Sequence, residues 1–424
     1  MHVSEHQDTV WRHRLSLLGG TTDLRDCAVA LDAGLRRTGR VRGAAIERFE
    51  QAFAAAVGAG HGISFATGRI GLVAILHALG VGDGDEVLVP VPTHVVVPNA
   101  VRFTGATPVF VDCEPTSANI DLDDAGRRVT HRTKILLLQH TFGVPARIDA
   151  AVAFAARHRL VLVEDCVHAL GATWNGRPVG SFGAASFHST EETKMISTTL
   201  GGAVVTDDPQ LADRIRRFQD SCAWPADGLV RRRMAKLVVY HALTWPPVHR
   251  ASRMLYEGVG RRHPLPRPVS AEESEGGFPL ENRERFSNAQ ARVGLRQLAR
   301  LDENVAHRRR ISAVYARELG PERTMSVPAA AAPSFVRYPL LATDRRAAER
   351  ALRRFTVLGT WFTSTLEESD APEVAGYEAG SCPVAERLGR HLINLPTHQR
   401  VTEAAAVAIA GAVRPWVMNP EELA

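Results

Sequence analysis

Ser186-Phe-His-Ser-Thr-Glu-Glu-Thr-Lys-Met-Ile-Ser-Thr-Thr-Leu-Gly-Gly-Ala-Val-Val-Thr206 places one lysine, Lys194, among small hydroxyl residues and ahead of a Gly-Gly step into an apolar strand. Upstream, the apolar run Leu160-Val-Leu-Val-Glu-Asp165 ends on an acid. A lysine amine can form an imine with a carbonyl once it is partly deprotonated by desolvation or a nearby cation. A carboxylate can keep a pyridine nitrogen protonated. These are the two groups that pyridoxal phosphate (PLP) asks of a protein, so the pair predicts that cofactor.

Working outward from this stretch, apolar strands alternate with helix-length segments. The N-terminal residues 1–40 read as a polar lead-in with a short helix. A helix over Arg42–Val57 is followed by a strand near Ile63–Ala66 and a helix from Gly68 to Leu79. Strands are expected at Glu86–Pro90, Thr107–Asp112, Lys134–Gln139, Leu160–Glu164, Ala184–His188 and Gly202–Thr206. Helices fall near Pro98–Thr104, Leu122–Val129 and Ile148–His158, with a short helix after Asp165. This alternation predicts an α/β fold with a mostly parallel sheet covered on both faces. Ligands of such sheets bind beyond the carboxyl ends of the strands. Arg69, His94, Asp165 and Ser189 all fall just after expected strands, so one cleft can gather them.

The rhythm breaks over 222–277, an atypical insert inside a large domain of residues 41–285. Two amphipathic helices are expected there around Pro246-Pro247, and then an irregular linker with Pro264, Pro266 and Pro268. The apolar residues Leu237, Tyr240, Leu243 and Trp245 of this insert offer a face for the protein's own domain or a dimer partner. A carrier protein or a membrane surface is the alternative for that face. A long helix, about Ser287–Arg317, then opens a smaller α+β domain over 286–424.

The 424 residues are ample for a large core. Hydrophobic residues form 45% and charged residues 23%, an ordinary balance for a globular protein. No apolar run is long enough to span a membrane, and the first residues lack a basic region followed by an apolar one, so no secretory signal is expected. Five scattered cysteines (Cys27, Cys113, Cys166, Cys222 and Cys382) without a CxxC pair speak against a disulfide framework or a structural zinc site and fit a reducing cytoplasm. The net charge is +5. The basic runs Arg231–Arg233 and Arg308–Arg310 are short and lie in helical segments. They read as solvated helix faces rather than as a nucleic-acid surface, which would interleave aromatics.

Several positions carry chemistry in this arrangement. Thr67-Gly68-Arg69, at a helix start, can cradle a phosphate with backbone N–H groups and the helix dipole, with Arg69 adding a bidentate contact. Ser189 can donate to the same phosphate. His168, three residues after Asp165, falls on the same face of the turn and can reach the cofactor's phenolic oxygen. Each has an ordinary counterpart: a strand-end acid that caps a helix, a half-buried histidine, a turn serine, an exposed lysine.

In order and spacing, six segments resemble the DegT/DnrJ/EryC1/StrS aminotransferases, PLP-dependent sugar aminotransferases of fold type I. They are Ala66–Leu72, Gly82–Thr93, Pro108–Asp112, Val163–Ala172, Ser189–Lys194 and Gly201–Thr206. The closing segment Cys382–His398 resembles the family as well, so the likeness runs from about residue 40 to 415 and is interrupted at 222–277. It implies a homodimer with active sites at the subunit interface. It implies Lys194 as the covalent cofactor lysine and proton carrier, Asp165 as the partner of the pyridine nitrogen and His168 beside the cofactor's O3′. It further implies Ser189 as a phosphate ligand and His94 where the family stacks an aromatic on the ring. The family's Ser-Gly-Thr turn is here Thr67-Gly68-Arg69, and its histidine two residues past the phosphate serine is Glu191. The asparagine that the second subunit lends to the site is matched by Asn282, one place early, beside Arg283. Glu191 and Arg283 are therefore the expected substrate-side residues, and no metal ligand is expected. The implied reaction is transfer of an amino group from an amino-acid donor to a keto sugar or keto cyclitol. The rivals are another PLP-dependent elimination or bond-forming reaction and a regulatory protein that only binds the cofactor.

Overall fold

The computed structural model describes residues 14–16, 20–36, 38–249, 269–278 and 283–423. Its centre is a seven-stranded sheet: β1 (His61–Phe65), β2 (Glu86–Pro90), β3 (Thr107–Val111), β4 (Thr133–Gln139), β5 (Val161–Asp165), β6 (Ala185–Ser189) and β7 (Gly202–Thr206). The spatial order is β3-β2-β4-β5-β6-β7-β1. β7 runs antiparallel to both β6 and β1, while the other pairings are parallel. Successive side chains of a strand face opposite ways, and here they enter two different cores. Val87, Val89, Ile135, Leu137 and Val163 join one cluster; Leu88, Leu136, Leu138 and Leu162 join another. That is why these strands are continuously apolar rather than alternating with polar residues.

Helix α1 (Leu24–Leu35) is opened by a capping box between Asp23 and Asp26. α2 (Ala45–Val57) buries Phe49, Phe53 and Val57 on one face of the sheet. It ends at Gly58, whose φ of 72° is a conformation that glycine adopts without strain. α3 (Gly68–Ala78) and α4 (Val96–Phe103) also feed the first core, whereas α6 (Ile148–His158), the helix that follows α5 (Leu122–Arg128), packs Ile148, Ala151 and Phe154 into the second. α7 (Pro209–Asp220) follows β7.

Three expectations are corrected. The segment after Asp165 forms turns, not a helix. The Asp165 carboxylate accepts the Val167 N–H, and Gly171 takes a φ of 82°, which a helix cannot continue. The long helix is two, α10 (Asn288–Leu298) and α11 (Leu301–Leu319), separated at Ala299-Arg300. No Gly or Pro marks the break, so periodicity reads straight through it. There Arg296 and Arg300 both turn onto Asp23 and the buried Asp26. In the insert, helix α8 (Asp227–Leu243) is present, but its buried stripe is Val230, Met234, Leu237 and His241. The three apolar residues of that stripe pack with Cys27, Ala30 and Ala33 of α1. Of the expected apolar face, Leu237 is buried while Leu243 and Trp245 are 47% and 44% exposed. Most of the second helix expected in the insert lies outside the described residues. A four-residue helix, α9 (Ala271–Ser274), precedes α10.

The C-terminal part pairs the strands Arg337–Leu341 and Leu392–Pro396 antiparallel. Its own core gathers Ile311, Val314 and Tyr315 of α11, Leu352 of α12 (Arg345–Leu352) and Ile409 of α14 (Glu403–Val413); α13 (Pro383–His391) lies between those two helices in the chain.

Candidate active site

The carboxyl ends of β5 and β6 deliver Asp165 and Ser189 as the last residues of their strands. The loop from Thr190 to Gly201 carries Lys194 back over them. This loop is polar but held at many points. Thr190 and Thr198 share a hydroxyl–hydroxyl bond of 2.7 Å at its neck. Gln297 of α10 accepts the Ser197 N–H at 2.7 Å and donates to the Ser197 carbonyl at 3.0 Å. Asn304 of α11 donates to the Met195 carbonyl at 2.6 Å, and the Thr21 hydroxyl donates to the Lys194 carbonyl at 3.2 Å. The segment that precedes α1 is thus more than a lead-in, since Thr21 ties down the lysine's own peptide.

Lys194 is 9% exposed, with Nζ 4.0 Å from the centroid of the Trp361 ring. Burial pushes its amine down to about 8; Glu191, Asp165 and Glu368 oppose that shift and Arg337 adds to it. Asp165 is 2% exposed. Desolvation raises its carboxyl to about 6, against the Val167 N–H and the nearby Lys194 and His140. His168 is buried and stacks on Trp361 with ring centroids 4.3 Å apart. Burial, with Lys194, Arg337 and His94 around it, holds the imidazole well below its ordinary pKa, so the ring is neutral.

Directly behind Asp165, His140 Nδ1 accepts the Ala146 N–H, leaving Nε2–H to meet Glu164 at 3.2 Å. Glu164 also accepts the N–H groups of Gly180, Phe182 and Gly183. With Cys166 these two form a buried His/Glu/Cys trio, but the histidine and carboxylate are already committed to hydrogen bonds. The trio is a brace for the strand end that holds Asp165, not an open ligand set.

At the other side of the pocket, Thr67 caps α3 by accepting the Ile70 N–H. Gly68 lies against β6: a Cβ there would sit 3.1 Å from the His188 carbonyl and 3.5 Å from Ser189 Cβ. Gly202 lies closer still, since its Cβ would stand 2.5 Å from the Gly68 nitrogen. The turn, Ser189 and the start of β7 therefore form one tight cradle at a helix N-terminus. Replacing Gly202 with Ala is expected to push the turn off Ser189. The overpacking should cost about 1–3 kcal/mol and weaken PLP binding at least tenfold; melting curves and a PLP titration followed by absorbance check both.

The Arg69 guanidinium is ion-paired with Glu273 of α9 and feels the charges of Glu191 and Glu368. His94 stands 3.4 Å from Glu368, whose neighbours Leu366–Glu367 pair in parallel with Thr93–His94. Glu191 accepts both the N–H and the hydroxyl of Thr193, which shapes the turn before Lys194. Arg283 donates to Ser221 and lies over the Phe218 ring, on the C-terminal end of α7. Asn282 lies outside the described residues.

Residue pattern alone did not find Trp361 or Arg337. Arg337 Cζ is 3.8 Å from the Trp361 centroid, on the same ring that Lys194 and His168 approach. Both come from the C-terminal part of the chain, where no motif marks them.

These residues fit PLP. Among the described residues His168 Nδ1 is buried without a hydrogen-bond partner. Asp165 receives one backbone N–H and is otherwise ready for a cationic ring nitrogen. The Gly68/Ser189 cradle suits a phosphate, and Lys194 is desolvated near it. A seven-stranded sheet with one reversed strand and a lysine, aspartate and histidine at its carboxyl edge defines a PLP-dependent enzyme of fold type I. The sequence matches the DegT/DnrJ/EryC1/StrS aminotransferase family over residues 25–242 and 248–414, and the chain belongs to that family. It is 30% identical over 369 residues to the GDP-perosamine synthase of Caulobacter vibrioides, covering 85% of this chain and 86% of that protein. It is 39% identical over 186 residues to the L-glutamine:scyllo-inosose aminotransferase of Streptomyces griseus, covering 44% of this chain and 42% of that one. The crystal structure of the aminotransferase TlmJ from Streptoalloteichus hindustanus superposes with a TM-score of 0.72 at 25% identity, over 95% of this chain and 97% of that one. As an aminotransferase the protein works on small molecules, an amino donor and an acceptor. Among the described residues, no helix is long and apolar enough to cross a membrane.

Proposed function

We propose that the protein transfers an amino group from an amino-acid donor, glutamate or glutamine, to a keto sugar or keto cyclitol, free or nucleotide-linked. One observation carries the chemistry: Lys194, its amine lowered to about 8, shares a buried pocket with Asp165 and a neutral His168. When bound, PLP supplies an electrophilic carbon and an electron sink. Lys194 holds it covalently at rest. During the reaction Lys194 Nζ takes the proton from the donor's α-carbon, then delivers one to the acceptor's former carbonyl carbon. Asp165 keeps the pyridine nitrogen protonated. His168, neutral, donates or accepts at the phenolic oxygen without bringing a second charge beside Asp165. Gly68, Thr67 and Ser189 would hold the phosphate, and the family resemblance would put His94 against the ring. Trp361 and Phe362, both buried, keep water from the reacting atoms.

The acceptor class is supported by the relatives, named for perosamine and scyllo-inosose. Five buried free cysteines suit a reducing cytoplasm, and the family resemblance supports a homodimer. Dehydratases of the family resemble it with histidine at the lysine position, so Lys194 favours transamination over that rival. In the test, glutamate or glutamine should bleach the visible absorbance of the loaded protein. A keto sugar or inosose should then restore it through many cycles. One bleaching event with no return on any such acceptor would leave only cofactor binding and sink the reading.

A further inference from the structure

Four segments far apart in the chain wall a cavity of about 530 Å³, and none of its lining residues is among those placed around the cofactor. That volume lies within the range of about 300–1,000 Å³ that small-molecule sites occupy. The first wall is the hairpin after β3. Cys113 and Ile120 bridge it, the Glu114 N–H donates to the Asn119 carbonyl at 2.8 Å, and Ala118 turns the chain with a φ of 56°. The buried Asn119 side chain ties this hairpin down, accepting the Thr141 N–H at 3.0 Å and donating to the Val144 carbonyl at 3.3 Å. The second wall is Trp174, in a short strand paired with Ala331–Ala332. The third is Ser326 to Pro328, held where the Ser326 N–H donates to the Thr116 carbonyl at 2.7 Å. Arg147, just before α6, closes the rim. These walls are fixed by bonds within the protein, so little is left to order when a ligand arrives.

The lining is of mixed chemistry. Pro115, Trp174 and Pro328 give apolar surface, and Ser117 and Ser326 give hydroxyls. Trp174 is 6% exposed, and among the described residues nothing accepts its indole N–H. One Glu114 oxygen accepts from the Ser117 hydroxyl at 2.9 Å. The other stands 3.9 Å from Arg147, beyond hydrogen-bond length, so both groups keep capacity for a ligand.

Charge decides against an ionic ligand. Glu114 repels a phosphate or carboxylate brought to Arg147, and Arg147 repels an amine brought to Glu114. A purely apolar ligand would strip water from the carboxylate, the guanidinium and the hydroxyls without replacing their hydrogen bonds. A ring bearing several hydroxyls meets both demands. Its C–H face covers the apolar wall, and each hydroxyl both donates and accepts, which suits an acceptor-only carboxylate beside a donor-only guanidinium. We propose that this cavity is a second carbohydrate site, one that takes an uncharged polyhydroxy ring, a pyranose or a cyclitol, apart from the cofactor pocket.

The probes are myo-inositol and methyl α-D-glucopyranoside, which carry no carbonyl, amine or charge. Calorimetry on the PLP-loaded protein should show saturable binding with a Kd of about 1–10 mM, and inorganic phosphate should not displace it. Cyclohexanol, a ring with one hydroxyl, should bind at least about tenfold more weakly. Glu114→Ala and Arg147→Ala should each weaken the probes about tenfold, the scale of one hydrogen bond to a charged group. Ser326→Trp, which fills the cavity from its exposed side, should abolish binding. All three variants should keep the wild-type melting curve, cofactor spectrum and rate of bleaching by glutamate or glutamine. A wild type that does not saturate overturns the proposal, as does displacement by phosphate. Probe binding unchanged in E114A and R147A puts the ring elsewhere and overturns it too. Loss of bleaching together with probe binding in those two variants would overturn it as a separate site. The binding comparison needs no amino transfer, so failure of the proposed reaction would strike that reading and not this one.

Discussion

Lys194→Ala is expected to remove the visible absorbance of the lysine-bound cofactor and to lower transamination at least about 10⁴-fold, the scale seen when an attacking group is deleted. The structure explains why no neighbour can substitute. The amine is desolvated, which lowers it to about 8 and leaves an appreciable neutral fraction near neutrality. Its loop is fixed through Thr21, Gln297 and Asn304, so the chain cannot bring Lys236, already paired with Glu192, into its place. The variant should still fold, because those tethers are to backbone atoms and survive the change. Lys194→Arg keeps the positive charge and should be equally inactive, which separates imine formation from electrostatics. An alanine variant that keeps the visible band removes Lys194 from the role.

Asp165→Asn carries the second large effect. A buried carboxylate that pairs with the cofactor's ring nitrogen leaves that cation uncompensated when replaced by an amide. Breaking one side of a buried pair costs about 3–5 kcal/mol, or roughly 10² to 10⁴ in rate. The opposite effect is expected on the stability of the cofactor-free protein. The Asp165 carboxyl rises from an ordinary value near 4 to about 6 on folding, so between those values the folded state binds more protons than the unfolded one. Stability from this group is therefore lost as pH rises from about 4 to about 6 and stays lost above. D165N should melt higher than the wild type at pH 8 without PLP, and should approach it below pH 4. An equal difference at both pH values would show that the aspartate is not a buried charge. A fall in catalysis that coincides with a gain in apo stability is the mark of a residue kept for function at the expense of the fold.

Much of this site could be read before any fold was known. β2 and α6 begin and end where composition placed them, because their strands and helices are continuous apolar or 3.6-periodic runs closed by Gly, Pro or charge. Asp165, Ser189 and Lys194 are strand-end and turn residues whose positions follow from local pattern. The break between α10 and α11 was hidden for the complementary reason. Arg300 has good helix propensity, and its departure from the helix accompanies pairing with Asp23 and Asp26, some 275 residues earlier in the chain. The ion pair of Arg69 with Glu273, 204 residues later, likewise left no local sign. α8 was read from its own apolar residues, whereas its buried stripe was selected by α1.

The sequence by itself determined the sheet, the helix that starts at Gly68 and the order of Asp165, His168, Ser189 and Lys194 along it. These depend on periodicity and on chemistry within a few residues, which the chain states directly. Only the tertiary structure decided what surrounds the lysine. Desolvation, the neutral state of His168, and the shared ring of Trp361 with Arg337 arise from a segment more than 140 residues downstream folding over the strand ends. Burial is a property of packing, and packing between distant segments leaves no local pattern to read.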